Sequence, residues 1–79
     1  MPTYREIYFN LLKENNKYLN KNVIISLLTD ASKFDDRMVL YANFDKEVID
    51  IEHLLVNVDL VKKGMPYQYV LGYSYFFFY

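Results

Sequence analysis

Apolar residues recur at helical spacing in four stretches of the chain. The first stretch runs from Thr3 to about Asn15, and its apolar positions lie three or four residues apart. That spacing is typical of a helix with one buried face. Thr3 and Glu6 form the sequence pattern of a capping box, in which each side chain binds the backbone N–H of the other residue. Asn15-Asn16 ends the predicted helix. The apolar stripe consists of Tyr4, Ile7, Tyr8, Leu11 and Leu12.

A polar connector over residues 17–22 leads to the second helix. Tyr18 and Leu19 are candidate anchors for the connector, and either Asn20 or Asn22 is a suitable N-cap. The β-branched run over residues 23–25 also suits a strand, but the spacing predicts a helix that continues to Ala31. Its apolar stripe consists of Val23, Ile24, Leu27, Leu28 and Ala31.

A short third helix is predicted over residues 34–41. An aspartate is expected to cap its start, and Asp36 suits the positive end of the helix dipole. The expected inward-facing pair is either Met38 with Tyr41 or Val39 with Ala42.

The longest predicted helix ends at Lys63. Asp45 and Asp50 are both plausible caps for its start. Lys62 and Lys63 fill the last turn, where cations meet the negative end of the helix dipole. The expected inward face consists of Ile51, Leu54, Leu55, Val58 and either Val61 or Lys62, whereas Glu52, Asn57 and Asp59 point away.

Four amphipathic helices joined by short loops must bury their apolar stripes against one another. We therefore expect an all-α fold: a small bundle of four to five helices, with a fifth helical turn at residues 66–71. The chain has 79 residues and no cysteine, so packing alone must stabilise it. We assign residues 1–72 to the helical domain and residues 73–79 to a separate terminal segment.

The terminal segment Tyr-Ser-Tyr-Phe-Phe-Phe-Tyr has six aromatic residues in seven positions. Aromatic residues favour strands, and Gly72 before them indicates a turn. Two interpretations stay open. The segment either folds back onto the bundle, or it is the first strand of a hairpin whose second strand lies further along a longer chain.

Charge and hydropathy exclude several classes of function. The formal net charge is −1, whereas a nucleic-acid-binding domain usually has a basic face. The lysines at 13, 17 and 21 are interrupted by Glu14 and by asparagines, so we interpret them as a solvated face. We recognise neither a signal peptide nor a stretch of about 18 apolar residues that would cross a membrane. We therefore expect a cytoplasmic protein.

A search for chemistry finds no catalytic arrangement. His53 is the single histidine and has no cysteine or histidine partner at metal-ligand spacing, so we predict no metal site. Asp30 and the pair Asp35-Asp36 could suggest paired carboxylates, but adjacent aspartates at a helix start are far more often caps than an acid–base pair. Only two glycines are present, which excludes a glycine-rich phosphate or dinucleotide loop. We expect no catalytic, cofactor-binding or metal-binding residue in this chain.

The stretch Gly64-Met-Pro-Tyr-Gln-Tyr-Val-Leu-Gly72 is the most distinctive part of the sequence. Gly64 is suited to the left-handed position after the long helix, and Pro66 prevents the helix from continuing. Exposed aromatic residues often anchor interfaces, but Tyr67 and Tyr69 are equally suited to packing against the end of the long helix.

This stretch resembles the end of the N-terminal domain of HemK-type protein-(glutamine-N5) methyltransferases. In that family a long helix, often with basic residues at its end, leads into a Gly-x-Pro segment, a tyrosine or histidine, a second glycine and an aromatic segment. The matching site residues here are Gly64, Pro66, Tyr67, Tyr69, Leu71 and Gly72. The arrangement of a helical domain of this length before the motif matches the family over the whole chain. The residue motif itself matches only in the last quarter of the chain.

The resemblance implies a role in a larger enzyme. The parent protein would bind S-adenosylmethionine in a separate Rossmann-like domain and methylate the glutamine in the Gly-Gly-Gln loop of a peptide-chain release factor. This chain would be the domain that docks the release factor, with residues 73–79 beginning the linker hairpin to the catalytic domain. Its partners would be the release factor and its own catalytic domain, with no direct nucleic-acid or membrane contact.

The sequence departs from the family pattern at two places. Lys21-Asn22-Val23-Ile24 stands where the family usually has an Arg-x-Asp-Ala type start to its second helix, and Ser74 or Tyr75 replaces a glutamate before the aromatic segment. These differences leave room for a divergent relative with another protein substrate. A second hypothesis, from a different class, is a stand-alone helical adaptor that oligomerises through residues 73–79.

Overall fold

A computed structural model of the chain describes residues 2–71 and confirms the predicted all-α bundle. The described residues contain no strand, and the closest approach to one is an isolated antiparallel bridge between Thr3 and Glu47. The aromatic segment 73–79, and the choice between its two interpretations, lie outside the described residues. The helices in chain order are α1 (Tyr4–Lys13), α2 (Lys21–Ala31), α3 (Arg37–Ala42), α4 (Ile51–Lys62) and the short α5 (67–71).

Helix α2 lies at the centre of the bundle and packs against α1, α3 and α4. It has buried residues around most of its circumference, which is typical of a core helix rather than of a surface helix with one apolar stripe. This central position explains its β-branched residues, because they contact other helices instead of water. Its buried residues are Val23, Ile24, Ile25, Leu27, Leu28 and Ala31.

Side-chain caps begin each of the four longer helices. The capping box at Thr3 and Glu6 is present, with both reciprocal bonds formed at 3.0 and 3.2 Å. Asn20, rather than Asn22, caps α2 by accepting from the backbone N–H of Val23 at 2.9 Å. Asp36 caps α3 and Asp50 caps α4. For α2 and α4, the structure therefore decides between the two candidate caps that the sequence leaves open.

The described helices differ from the predicted ranges at their ends. Helix α1 ends at Lys13, because Asn15 has a positive φ of 52°. Helix α2 begins at Lys21 inside the predicted connector. Helix α3 begins at Arg37 and not at residue 34, because its cap Asp36 has an extended backbone with φ −155°. The expected fifth turn after Pro66 is confirmed.

Both expected inward pairs on α3 are wrong. The residue of α3 that lies in the core is Leu40, which is fully buried. Met38 is 69% exposed and Tyr41 is 47% exposed, while Val39 is half-buried and Ala42 is exposed. Because α3 has only six residues, its pattern contains too few turns to define a face.

The predicted inward face of α4 contains two errors. Leu55 was expected inside but is 53% exposed, and Asn57 was expected outside but is only 8% exposed. The buried positions 54, 57, 58 and 61 follow the helical period, in which successive residues are rotated by about 100°. Asn57 tolerates burial because its side chain is hydrogen-bonded to Nε2 of His53 at 3.2 Å.

Loop residues complete the core at both ends of the bundle. Leu19, in the α1–α2 connection, and Val48, before α4, are each almost fully buried. The loop before α4 also pairs with the start of the chain, through backbone bonds from Arg5 N–H to the Phe44 carbonyl and from Val48 N–H to the Pro2 carbonyl. These bonds hold the N-terminus of α1 against the segment that leads into α4.

Candidate functional site: the corner after α4

Helix α4 ends in a Schellman motif centred on Gly64. The backbone N–H of Gly64 donates to the Val61 carbonyl at 2.9 Å, and the N–H of Met65 donates to the Leu60 carbonyl at 3.2 Å. This pair of bonds satisfies two carbonyls at the helix end and requires a positive φ at the residue after the cap. Gly64 has φ 103°, which confirms the predicted left-handed stop.

Pro66 starts the fifth helix directly after this turn. Its carbonyl accepts from the backbone N–H groups of Tyr69 and Val70 at 3.0 and 3.1 Å. Pro66 is exposed, while Val70 is buried in the hydrophobic core. The glycine turn and the proline therefore reverse the chain so that α5 returns to the bundle.

The side chain of Tyr67 connects α5 to two other helices. Its hydroxyl oxygen accepts from Nδ2 of Asn22 at 3.3 Å, and Oδ1 of Asn22 accepts from Nη2 of Arg37 at 2.8 Å. Tyr67 is half-buried and packs against the core, whereas Tyr69 is 56% exposed. Tyr67 thus helps to fix the position of α5, and Tyr69 is the more exposed of the two tyrosines of the motif.

Leu71 lines a shallow open cleft of about 260 Å³ on the surface of α2. This volume is smaller than the roughly 300–1,000 Å³ that small-molecule sites usually have. The lining of the cleft also includes the oppositely charged Asp30 and Arg37, the ring of Phe34 and the hydroxyl residues Ser26 and Thr29. Gly72, the last residue of the predicted motif, lies outside the described residues.

His53 forms a small polar group with Asn57 and Asp30. Its Nε2 atom lies 3.2 Å from Nδ2 of Asn57 and 3.7 Å from Oδ2 of Asp30, so the group joins α4 to α2. This arrangement fits the predicted structural role of His53. Within residues 2–71, no group of three or more His, Cys, Asp or Glu side chains is placed to hold a metal ion, and no helix of that part is long and apolar enough to cross a membrane.

The tertiary structure adds contacts that sequence reasoning missed at this corner, which comprises residues 62–71. A Cβ atom at Gly64 would lie 3.5 Å from the hydroxyl oxygen of Tyr18, so Tyr18 covers the glycine turn. Glu14 forms an ion pair with Lys62. No sequence signal connects these residues, because 46 and 48 positions separate the partners along the chain.

A comparison of the chain with protein-family models, curated proteins and solved structures finds no match.

Proposed function

We propose that this chain is the partner-binding N-terminal domain of an S-adenosylmethionine-dependent protein-(glutamine-N5) methyltransferase. The substrate of the whole enzyme would be the glutamine of the Gly-Gly-Gln loop in a peptide-chain release factor. The observation that carries the proposal is the corner after α4, where Gly64 and Pro66 of the family-like motif form a helix stop followed by a short returning helix.

The chemistry of the bundle supports a binding role. Its described residues form a packed helical core without buried unsatisfied side-chain polar atoms, and the polar contacts of the corner join helices to each other. A rigid domain of this kind can use binding energy from a remote surface to position a substrate for reaction elsewhere. The methyl transfer itself would belong to a following domain that holds S-adenosylmethionine.

The proposal predicts a specific continuation of the reading frame. Beyond Tyr79 the parent protein would contain a glycine-rich Gly-x-Gly-x-Gly loop for S-adenosylmethionine and an Asn-Pro-Pro-Tyr motif for the glutamine amide. A chain that ends at Tyr79 and self-associates through residues 73–79 would instead support the helical adaptor.

The functional test uses the parent protein with and without residues 1–63. We expect the deletion to reduce methyl transfer to intact release factor strongly while S-adenosylmethionine affinity, measured by calorimetry, stays nearly constant. A short peptide containing Gly-Gly-Gln is the matched control substrate, because it is too small to reach a remote docking surface. Equal activity of both proteins on intact release factor would rule out the docking role.

A further inference from the structure

The charged residues of the bundle are segregated between its two ends. We call the α1–α2 connection together with the last turn of α4 and the Gly64 turn (residues 13–21 and 59–64) the basic end. It contains five lysines and two carboxylates, a net charge of +3, so the rest of the chain carries −4 of the total of −1. The lysines are Lys13, Lys17, Lys21, Lys62 and Lys63.

Tertiary contacts bring these separate segments together. Glu14, which follows α1, pairs with Lys62 in the last turn of α4. The ring of Tyr18 covers Gly64, and Nζ of Lys17 lies 5.1 Å from the centroid of that ring. The α1–α2 connection, with its lysines, therefore lies beside the corner that carries the family-like motif.

The favourable effect of a cation at a helix C-terminus explains the positions of only some of these lysines. Lys13 and Lys62 lie in the last turns of their helices, where a cation is favourable. Lys21 is the first residue of α2, and the first turn of α2 contains no acidic residue. A cation at this position meets the positive end of the helix dipole. Lys21 is thus unfavourable for its own helix, which points to a role outside it.

The lysines of the α1–α2 connection are also available to a partner. Lys62 and Lys63 are paired with Glu14 and Asp59. In the part of the chain that the structure describes, no ion pair includes the other three lysines, and all three are exposed. They are Lys13, Lys17 and Lys21.

We propose that the basic end docks an acidic segment of a protein partner. This inference rests on the proposed function and deepens it by naming the docking face and the chemistry of the surface that it receives. Lysines at the edge of an interface mainly guide association and fix orientation, while Tyr18 supplies an aromatic contact among them.

A short acidic protein segment fits this end better than a nucleic acid. The net charge of this end is only +3, whereas binding to nucleic acid depends on the neutralisation of many phosphates by lysine and arginine. A longer polyanion that extended past the basic end would also meet the remaining surface with its charge of −4. The charge distribution therefore limits the ligand to a length that the basic end alone can cover.

The test uses the 79-residue chain and an oligo-glutamate peptide as the probe. Amide chemical shifts in NMR titrations are expected to change at residues 13–21 and 59–64, and affinity is expected to fall as salt is raised. The double variant K17E/K21E should bind about tenfold more weakly. The matched control K33E/K46E has the same net charge and should lose much less affinity, because both of its changes lie away from the basic end.

A second measurement separates binding from folding. Glutamate at position 21 suits the N-terminus of α2, so K17E/K21E is expected to keep its thermal midpoint while it loses affinity. Equal loss of affinity in both double variants, or shift changes spread evenly over the bundle, would overturn the proposal. Tighter binding of an oligouridine RNA than of oligo-glutamate at the same lysines would overturn it in favour of nucleic acid.

The same variants distinguish this inference from the proposed function. Release factor that binds K17E/K21E as tightly as the unmodified chain would contradict the basic end as the docking face but leave the docking role intact. If the unmodified chain binds oligo-glutamate at the basic end but does not bind release factor, the acidic-segment site stands and the release-factor role fails.

Discussion

The two ends of the bundle are closed by different physical means. At the basic end, the conformation of one glycine turns the chain after α4, and Tyr18 covers the turn. At the opposite end, which we call the acidic end (residues 2–6 and 30–52), backbone bonds pair the start of the chain with the loop before α4. The glycine turn itself is local and visible in the sequence, whereas its cover by Tyr18 and the backbone pairing at the acidic end each depend on segments about 40 residues or more apart.

Charge pairing also differs between the ends. At the acidic end, Nε of Arg5 donates to Asp45 at 2.6 Å, and the guanidinium lies 5.1 Å from the ring centroid of Phe44. The Asp45 carboxylate accepts this hydrogen bond, which raises the pKa of Arg5, and the bond lowers the pKa of Asp45. The three exposed lysines of the α1–α2 connection have no such carboxylate among residues 2–71. Each end thus has one ion pair between distant segments, Arg5–Asp45 or Glu14–Lys62, but only the basic end also has three exposed lysines without an ion pair among residues 2–71.

The largest expected effect tests whether the acidic end belongs to the cooperative core. Leu40 is fully buried, so Leu40→Ala should lower the free energy of unfolding by about 2–5 kcal/mol through the cavity that it leaves. Urea denaturation followed by circular dichroism measures this change. Met38→Ala is the control in the same helix, and it should change stability by less than about 0.5 kcal/mol. Similar effects of the two variants would contradict the assigned inward face of α3.

The next test concerns the glycine turn at the basic end. Gly64→Ala should destabilise the chain by about 1–2 kcal/mol, because an L-residue is strained at positive φ. The added Cβ has enough space, at 3.5 Å from the Tyr18 hydroxyl oxygen, so the cost is conformational rather than steric. Gly64→Asn should cost less, since asparagine tolerates left-handed conformations. Thermal unfolding of both variants compares them, and an unchanged stability of Gly64→Ala would refute the turn.

The acidic end contains the same turn with a less suitable residue. Lys33 has φ 57°, and the N–H of Phe34 donates to the Thr29 carbonyl as Met65 does to Leu60. Lys33→Gly should therefore stabilise the chain by about 0.5–1 kcal/mol, after the greater entropy of glycine in the unfolded state is subtracted. Lys46→Gly, in the loop before α4, is the control. A destabilised Lys33→Gly variant would show that the two turns are not equivalent.

The smallest expected effect is the loss of folding stability at low pH that the carboxylates of the acidic end cause. The hydrogen bond from Arg5 holds the pKa of Asp45 below its ordinary value of 3.8, and the bonds from Thr3 hold the pKa of Glu6 below its ordinary value of 4.5. A carboxyl group whose pKa is lower in the folded than in the unfolded chain stabilises the fold at pH values above its ordinary pKa. This contribution is lost as the pH falls through the lower pKa of the folded state. Stability measured from pH 7 downward should thus decline below about pH 4.5.

The matched variant for this pH test is Asp45→Asn, which removes one of the two carboxylates. Its stability should decline less steeply with acid than that of the unmodified chain. Because Asp45 and Arg5 are exposed, the difference is expected to be small. Identical acid profiles for the two proteins would show that the Arg5–Asp45 pair does not contribute to folding stability.

The sequence alone determined the helices and the corner after α4, because their signals are local. Capping at Thr3, the stop at Gly64 and the restart after Pro66 each depend on a few neighbouring residues, and helical period reports which long stretches are amphipathic. The candidate motif residues 64–71 could be found in the same way.

Only the tertiary structure decided which residues face inward and which distant groups meet. Asn57 was misassigned because burial depends on the neighbouring elements, and Leu40 was missed because the six residues of α3 carry too little pattern to define a face. Lys33 was missed at a left-handed position because it costs energy that the surrounding packing must supply. The ring of Tyr18 over Gly64 and the lysine group around it arise from chain reversal, since side chains remote in sequence become neighbours only when the helices pack.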